Sequence, residues 1–306
     1  MKTVVMSLMF VLALCTPAFA TWSVIAVDTR TGQVIIASAT CVRQQGFPQR
    51  KPLGSRDLME VQAVIVPGVG VAACQAGADN TRDNQMLVYA ELKKGTPPSE
   101  ILDLLKKQEA ARKPEDQMER RQFGILAIPD GKRITPQNNR AGFNGTGNSQ
   151  SSLFFSGQVG PNIYYQVQGN TLLGNDVVHK AALAFTRATG TLADHVMAAM
   201  EAADANGGDH RCNCGVSVLD FVPCDEKTAH VAYIAIAEKD DPAGTSHNDG
   251  QYYAYLSVTD ANTVKGESGN PVKTLRMRYN AWVKSGSPRL PPPPPSLYKG
   301  TAAGQY

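Results

Sequence analysis

Beyond residue 20 the sequence has no apolar run near the ~20 residues that a membrane helix needs, so no span is expected in the body of the protein. It also lacks a dense Lys/Arg stripe. The formal net charge is +3 over 306 residues, and Lys93-Lys94 and Lys106-Lys107 fall on stretches with helical spacing, where a solvated face accounts for them. A nucleic-acid partner is therefore not expected. Cysteine is scarce, and no Cys/His spacing matches a standard zinc finger or ribbon. No internal repeat is present. With 42% apolar and 19% charged residues, the chain has the composition of a globular protein, long enough for one large domain or two small ones.

What is present begins with a junction. Lys2, the apolar run Val4 to Leu14, Pro17 and the small-x-small trio Ala18-Phe19-Ala20 read as a secretory leader cut after Ala20. The mature protein is then exported, periplasmic or extracellular, and starts at Thr21. A threonine at a chain start carries a free α-amine beside its hydroxyl. That amine titrates near pH ~8 in model compounds, so near neutral pH part of it is free to take the hydroxyl proton, making nucleophile and base one residue. The plainer account is that leader cleavage constrains the residues before the cut more than those after it, so a threonine there needs no function.

Removing the leader also removes Cys15 and leaves Cys41, Cys74, Cys212, Cys214 and Cys224. In an oxidising compartment these are expected to form disulfides, with at least one thiol left over. A zinc site from His210, Cys212, Cys214, Cys224 and His230 is the weaker alternative.

Along the chain, Trp22–Val27 and Gln33–Ala39 read as a β-hairpin turning at Asp28-Thr29-Arg30-Thr31-Gly32. Glu60–Pro67 and Gly70–Gln75 read as a second strand pair. These runs are apolar throughout, as strands covered on both faces are. Helical spacing follows over 79–94 and from Ser99, an expected N-cap, with Ile101, Leu102, Leu104 and Leu105 as its buried stripe. Phe123–Ile128 is a strand, Thr135–Asn162 a long irregular loop, and Ile163–Val167 a short strand before a turn at Gln168-Gly169-Asn170. Helices are expected over 176–188 and 192–206, the second with a Thr191/Asp194 capping box. Strands follow over 216–222, 229–237 and 252–258, then a helix over 271–282. The domain is placed at 21–285, with 286–306 a Pro-rich tail. Helix pairs between groups of strands give the expected class: α+β, a four-layer αββα sandwich.

The stretches Thr21-Trp22-Ser23-Val24-Ile25-Ala26-Val27-Asp28, Ala37-Ser38-Ala39-Thr40-Cys41-Val42, Pro67-Gly68-Val69-Gly70, Gln75-Ala76, Gln168-Gly169-Asn170 and Gly207-Gly208-Asp209-His210-Arg211 together resemble domain-of-unknown-function family 1028. That family is placed in the N-terminal-nucleophile (Ntn) hydrolase superfamily. The resemblance covers Thr21 to about Val258. It implies a fold related to the proteasome β subunit and hydrolysis of an amide bond, with Thr21 at the nucleophile position. One departure stands out: proteasome-like enzymes place an Asp at the end of the second strand and a Lys soon after. Here Ser38 or Thr40 occupies that region, and no Lys precedes Lys51.

Within that reading Asn170 is the side-chain candidate for holding an oxyanion, and Asp209 for orienting the Thr21 amine. Arg211, Gln75, Asn80 and Gln168 are placed on the substrate side, Arg211 as a clamp for a substrate carboxylate. Each has a plainer account: a turn at Gly169-Asn170, an Asp209–Arg211 ion pair fixing a loop, and a helix cap from Asp79 or Asn80. The reading calls for no cofactor and no metal. Its partner is a small-molecule or peptide-like substrate, and a homo-oligomer is left open. The rival expectation is a catalytically silent αββα binding or surface-associated module, with the proline tail as its tether.

Overall fold

The computed structural model describes residues 21–112, 118–148, 151–212 and 227–295. The expected leader, the strand expected over 216–222 and the end of the tail lie outside them.

The fold is mixed α+β with two antiparallel sheets and, among the described residues, six α-helices. The elements run β1 Thr21–Asp28, β2 Gln33–Thr40, α1 Leu58–Gln62, β3 Ala63–Val66, β4 Gly70–Gln75, α2 Asp83–Lys93 and α3 Pro98–Glu109. They continue with β5 Gln122–Ala127, β6 Arg140–Asn144, β7 Leu153–Val159, β8 Ile163–Asn170, α4 Asp176–Arg187, α5 Leu192–Ala205, β9 Val231–Ala237, β10 Ala254–Val258 and α6 Pro271–Lys284. One sheet has the order β10-β9-β2-β1-β8-β7, the other β3-β4-β5-β6.

Strand periodicity explains why β1 is apolar without alternating. Successive side chains point to opposite faces, and both faces are covered. Trp22, Val24 and Ala26 pack with Val177, Phe185, Val196 and Met200 of α4 and α5 and with Leu275 of α6. Ile25 and Val27 instead join Ala63, Ile65, Val71, Ala73 and Leu126 of the second sheet. The other face of that sheet, Val64, Ala72, Phe123 and Ile125, packs on Val88, Leu92, Ile101 and Leu105 of α2 and α3. Each fully buried Val, Ile, Leu, Met or Phe among them contributes about 1.5–3 kcal/mol.

Several expected boundaries move. Residues 58–62 form α1 instead of the start of a strand, because Asp57 caps the turn by accepting from the Glu60 N–H at 3.0 Å. Helix α3 starts at Pro98 behind Pro97, so Ser99 lies inside it and does not cap; Leu104 faces solvent. The expected irregular loop over 135–162 contains β6 and β7, whose short, glycine-containing runs lack a regular apolar alternation because both strands are only half-buried. Gln168-Gly169-Asn170 extends β8, and the chain turns one residue later, at Thr171 with φ 53°. The Thr191/Asp194 capping box forms as expected. The Pro-rich stretch is tied back as far as Pro294: Leu290 N–H donates to Tyr253 O at 2.9 Å, Trp282 Nε1 donates to Pro288 O at 2.8 Å, and Arg56 donates to Pro294 O. Among the described residues no helix is long and apolar enough to cross a membrane.

Candidate active site around Thr21

Thr21 is the first residue of β1, which lies inside the six-stranded sheet with β2 on one side and β8 on the other. The two registers place Thr40 and Asn170 directly opposite it. Thr21 is 4% exposed, and its hydroxyl donates to Thr40 Oγ1 at 3.2 Å. Of the two β2 residues the sequence singled out, Thr40 is the one whose hydroxyl meets that of Thr21. Ser38 turns its hydroxyl to Trp22 O at 2.6 Å and to Gln62 Oε1 at 3.1 Å.

Between the sheets at this end, the apolar interior gives way to a buried polar network centred on Gln75. Its Nε2 donates to Thr21 O at 3.1 Å and to Gln122 Oε1 at 2.8 Å; its Oε1 accepts from Ser23 Oγ at 2.8 Å and from Gln62 Nε2 at 3.4 Å. Asn170 Nδ2 joins the same network, 3.5 Å from Thr21 O and 3.3 Å from Gln122 Oε1. Buried amides are tolerated here because each has partners, and the mutual bonds fix the position of the strand end that carries Thr21.

Thr21, Thr40, Gln62 and Gln75 open onto a narrow cleft with Phe47, Arg50, Leu58 and Val61. Atom-free space, counted with the mouth, is about 270 Å³. Arg50 comes from the loop between β2 and α1. Phe47 anchors that loop in the inter-sheet core and accepts from the Arg50 N–H at 3.2 Å and the Ser55 N–H at 3.0 Å. The Arg50 guanidinium lies 5.6 Å from the Phe47 ring centre and donates to Asn80 Oδ1 at 3.4 Å. Burial, and then the charges of Arg82 and Arg211, bring Arg50 down to about 10, so it keeps its charge at neutral pH.

Asp209 is fully buried on the other side of Thr40. Its carboxylate accepts from the Cys41 N–H at 2.8 Å, from Arg211 Nη2 at 2.7 Å, and from Arg211 Nε and N–H, each at 3.1 Å. The link to Thr21 therefore runs through the β2 end, and the plainer reading of Asp209 and Arg211 as an ion pair describes what they do. The glycines before them are required by close approach. Gly208 has φ +49°, and a Cβ there would lie 2.7 Å from the Trp22 ring. A disulfide between Cys41 and Cys212, with a Cα–Cα distance of 5.8 Å, staples this loop to the end of β2.

The site residues read from the sequence thus divide. Thr21 and Gln75 line the cleft, Asn80 touches it through Arg50, and Asn170 sits beside Thr21 within the network. Gln168 lies away from the cleft: it is fully buried and bridges the sheets by donating to Ala73 O at 3.1 Å. Asn80 does not cap α2; Asp79 accepts from the Asn84 N–H at 3.1 Å. Despite its burial, Asp79 is held at about 2 by hydrogen bonds from Arg112 and Thr81. Sequence reasoning missed Arg50, Gln62 and Gln122. The first lay in a Gly/Pro/Arg loop without periodicity; Gln62 is a glutamine inside an apolar run, a signal the sequence does carry, and Gln122 follows the charged Glu119-Arg120-Arg121, which gave no such signal. Among the described residues no group of three or more His, Cys, Asp or Glu is placed to hold a metal ion. Cys212 of the weaker zinc reading is in the disulfide, Cys214 and Cys224 lie outside the described residues, and Cys74 is a buried free thiol.

No curated protein is similar to this chain. Among solved structures, the crystal structure of protein SPO2555 from Silicibacter pomeroyi, of family model DUF1028, is similar in fold. Its TM-score is 0.57 at 18% identity, covering 88% of this chain and 94% of that one. The family model for the family of unknown function DUF1028 matches residues 21–245, starting on the threonine around which the cleft is built. The chain belongs to the family of unknown function DUF1028.

Proposed function

We propose that the protein is an exported amidohydrolase of the N-terminal-nucleophile type, with the four-layer αββα architecture of that superfamily and Thr21 as its nucleophile. The three apolar clusters, one between the sheets and one between each sheet and its helices, support the layer reading. The disulfide supports an oxidising destination.

The observation that carries the chemistry is Thr21 at the wall of a cleft, on a strand end fixed by its neighbours on both sides. Cleavage after Ala20 frees the α-amine. The amine then takes the hydroxyl proton as Oγ1 attacks the substrate carbonyl carbon, forming a tetrahedral oxyanion. Asn170 Nδ2 is the side-chain donor proposed for that charge, turning to it from its long 3.5 Å bond to Thr21 O. Collapse breaks the C–N bond, the leaving amine departs with the proton held by the α-amine, and an ester to Thr21 remains. Water, deprotonated by the same amine, attacks the ester and releases the acid, restoring Thr21. Asp209 acts as a positioning residue, holding Cys41 and through it the Thr40 end of β2. The substrate is a small or peptide-like amide.

The test is N-terminal sequencing and intact mass of the exported protein. A chain starting at Thr21 is expected, and a start at any other residue overturns the reading. A catalytically silent binding module is the second reading. A surface-associated role without turnover is the form of it that the tight cleft favours, since the space beside Thr21 holds about one water molecule.

A further inference from the structure

Independently of the hydrolase reading, we propose that a second cavity, on the helical side of the six-stranded sheet, binds a quaternary ammonium group. Tyr253, Tyr279 and Trp282 wall it, and Gln33, Asp194 and Glu238 line it with them. Gln33 starts β2 and Thr40, opposite Thr21, ends it, so the cavity lies at the far end of the sheet from Thr21, roughly 20 Å away at ~3.3 Å per residue. It offers about 230 Å³ of room, where the Thr21 cleft holds about one water molecule.

The three rings are inclined to one another as the walls of a box. The Trp282 ring centre lies 6.2 Å from that of Tyr253, at an interplanar angle of 71°, and 5.7 Å from that of Tyr279, at 49°. Each ring is fixed by its own polar hydrogen: Tyr253 Oη donates to Ser287 O at 2.6 Å, Tyr279 Oη to Asp194 Oδ1 at 2.9 Å, and Trp282 Nε1 to Pro288 O at 2.8 Å. The rings thus have no donor left for an anion, while their faces attract a cation. The two carboxylates are hydrogen-bonded but not neutralised. Asp194 also accepts from the Thr191 N–H and Oγ1, each at 2.8 Å, and Glu238 accepts from Gln33 Nε2 at 2.7 Å. Among the described residues neither carboxylate has an ion pair. Arg276 and Arg289 stack on Tyr279 and Tyr253, but neither lines the cavity, and each pairs with a carboxylate of its own, Glu201 and Asp241, at 2.6 Å. Negative charge whose lone pairs are already engaged, beside aromatic faces, gains most from a cation that brings charge and methyl groups and asks for no acceptor. A quaternary ammonium is that cation.

The experiment uses the full chain expressed with its own residues 1–20 and purified. Titration calorimetry at constant ionic strength compares choline with 3,3-dimethylbutan-1-ol, which has the same shape with carbon in place of the charged nitrogen. Choline is expected to bind about tenfold more tightly, or better. Glu238→Gln keeps an acceptor for Gln33 and should weaken choline about tenfold while leaving the alcohol unchanged. Tyr253→Leu should remove choline binding and Tyr253→Phe should keep it; a thermal melt confirms that each variant is folded. Equal binding of the two compounds, binding of neither, or a choline preference undiminished in folded Glu238→Gln or folded Tyr253→Leu overturns the proposal. Thr21→Ala should bind choline as the wild type does, so the ammonium site stands even if no amide is hydrolysed; loss of choline binding in folded Thr21→Ala overturns it.

Discussion

Gln75→Leu is the sharpest perturbation of the network that holds Thr21. Gln75 makes four hydrogen bonds, but Asn170 remains as a second donor for two of its acceptors, Thr21 O and Gln122 Oε1. Leucine therefore mainly strands the Ser23 hydroxyl and the Gln62 amide, both fully or almost fully buried. Two unsatisfied buried groups cost about 1–3 kcal/mol each, and the added apolar burial returns about 1–2 kcal/mol, for an expected loss of roughly 2–4 kcal/mol. Urea unfolding followed by Trp22 and Trp282 fluorescence measures it. Because the cost arises from stranded partners, Ser23→Ala added to Gln75→Leu should recover about 1 kcal/mol. A loss below about 0.5 kcal/mol, the scale of an ordinary surface change, or full additivity of the two substitutions would refute the reasoning.

Three further outcomes are expected. Replacing Cys41 and Cys212 together by Ala should cost about 2–5 kcal/mol by chemical denaturation, since the bond closes a loop of 171 residues. Gly208→Ala should cost about 1–3 kcal/mol in the same assay, because it adds a Cβ against Trp22 at a left-handed φ. His247 is fully buried, its Nε2 3.1 Å from Glu60 O, and burial lowers its proton affinity to about 4. The unfolded chain therefore binds a proton there first. The stability it contributes is fully present above pH ~6.5 and is lost, by about 3 kcal/mol, as pH falls to ~4. Denaturation at pH 7.5 and 4.5 should show that slope in the wild type and a flatter one in His247→Gln.

How far the site could be read from the sequence follows from what kind of signal each residue leaves. Strands β1, β2, β4 and β5 were legible because continuous apolar runs have few alternatives, and α5 because its capping box is local. Strands β6 and β7 were not legible, since the half-buried runs Arg140–Asn144 and Leu153–Val159 lack a regular apolar alternation. Thr21 was found by its place after a cleavage motif, and Asn170 by a motif that register then brings opposite it. For Arg211 the sequence offered both a substrate clamp and an ion pair with Asp209, and the structure shows the ion pair, since Asp209, two residues before it, lies within 2.7 Å of its guanidinium. Arg50 left no trace because the loop carrying it is anchored by the single aromatic Phe47 and not by a repeating pattern.

The central claim is that Thr21 is a nucleophile, and covalent labelling tests it most directly. The exported protein is treated with a β-lactone, and the adduct is located by mass spectrometry. An acyl ester on Thr21 of the wild type, absent from a folded Thr21→Ala variant, is the predicted result. Equal labelling of both proteins, or an adduct confined to other residues, contradicts it.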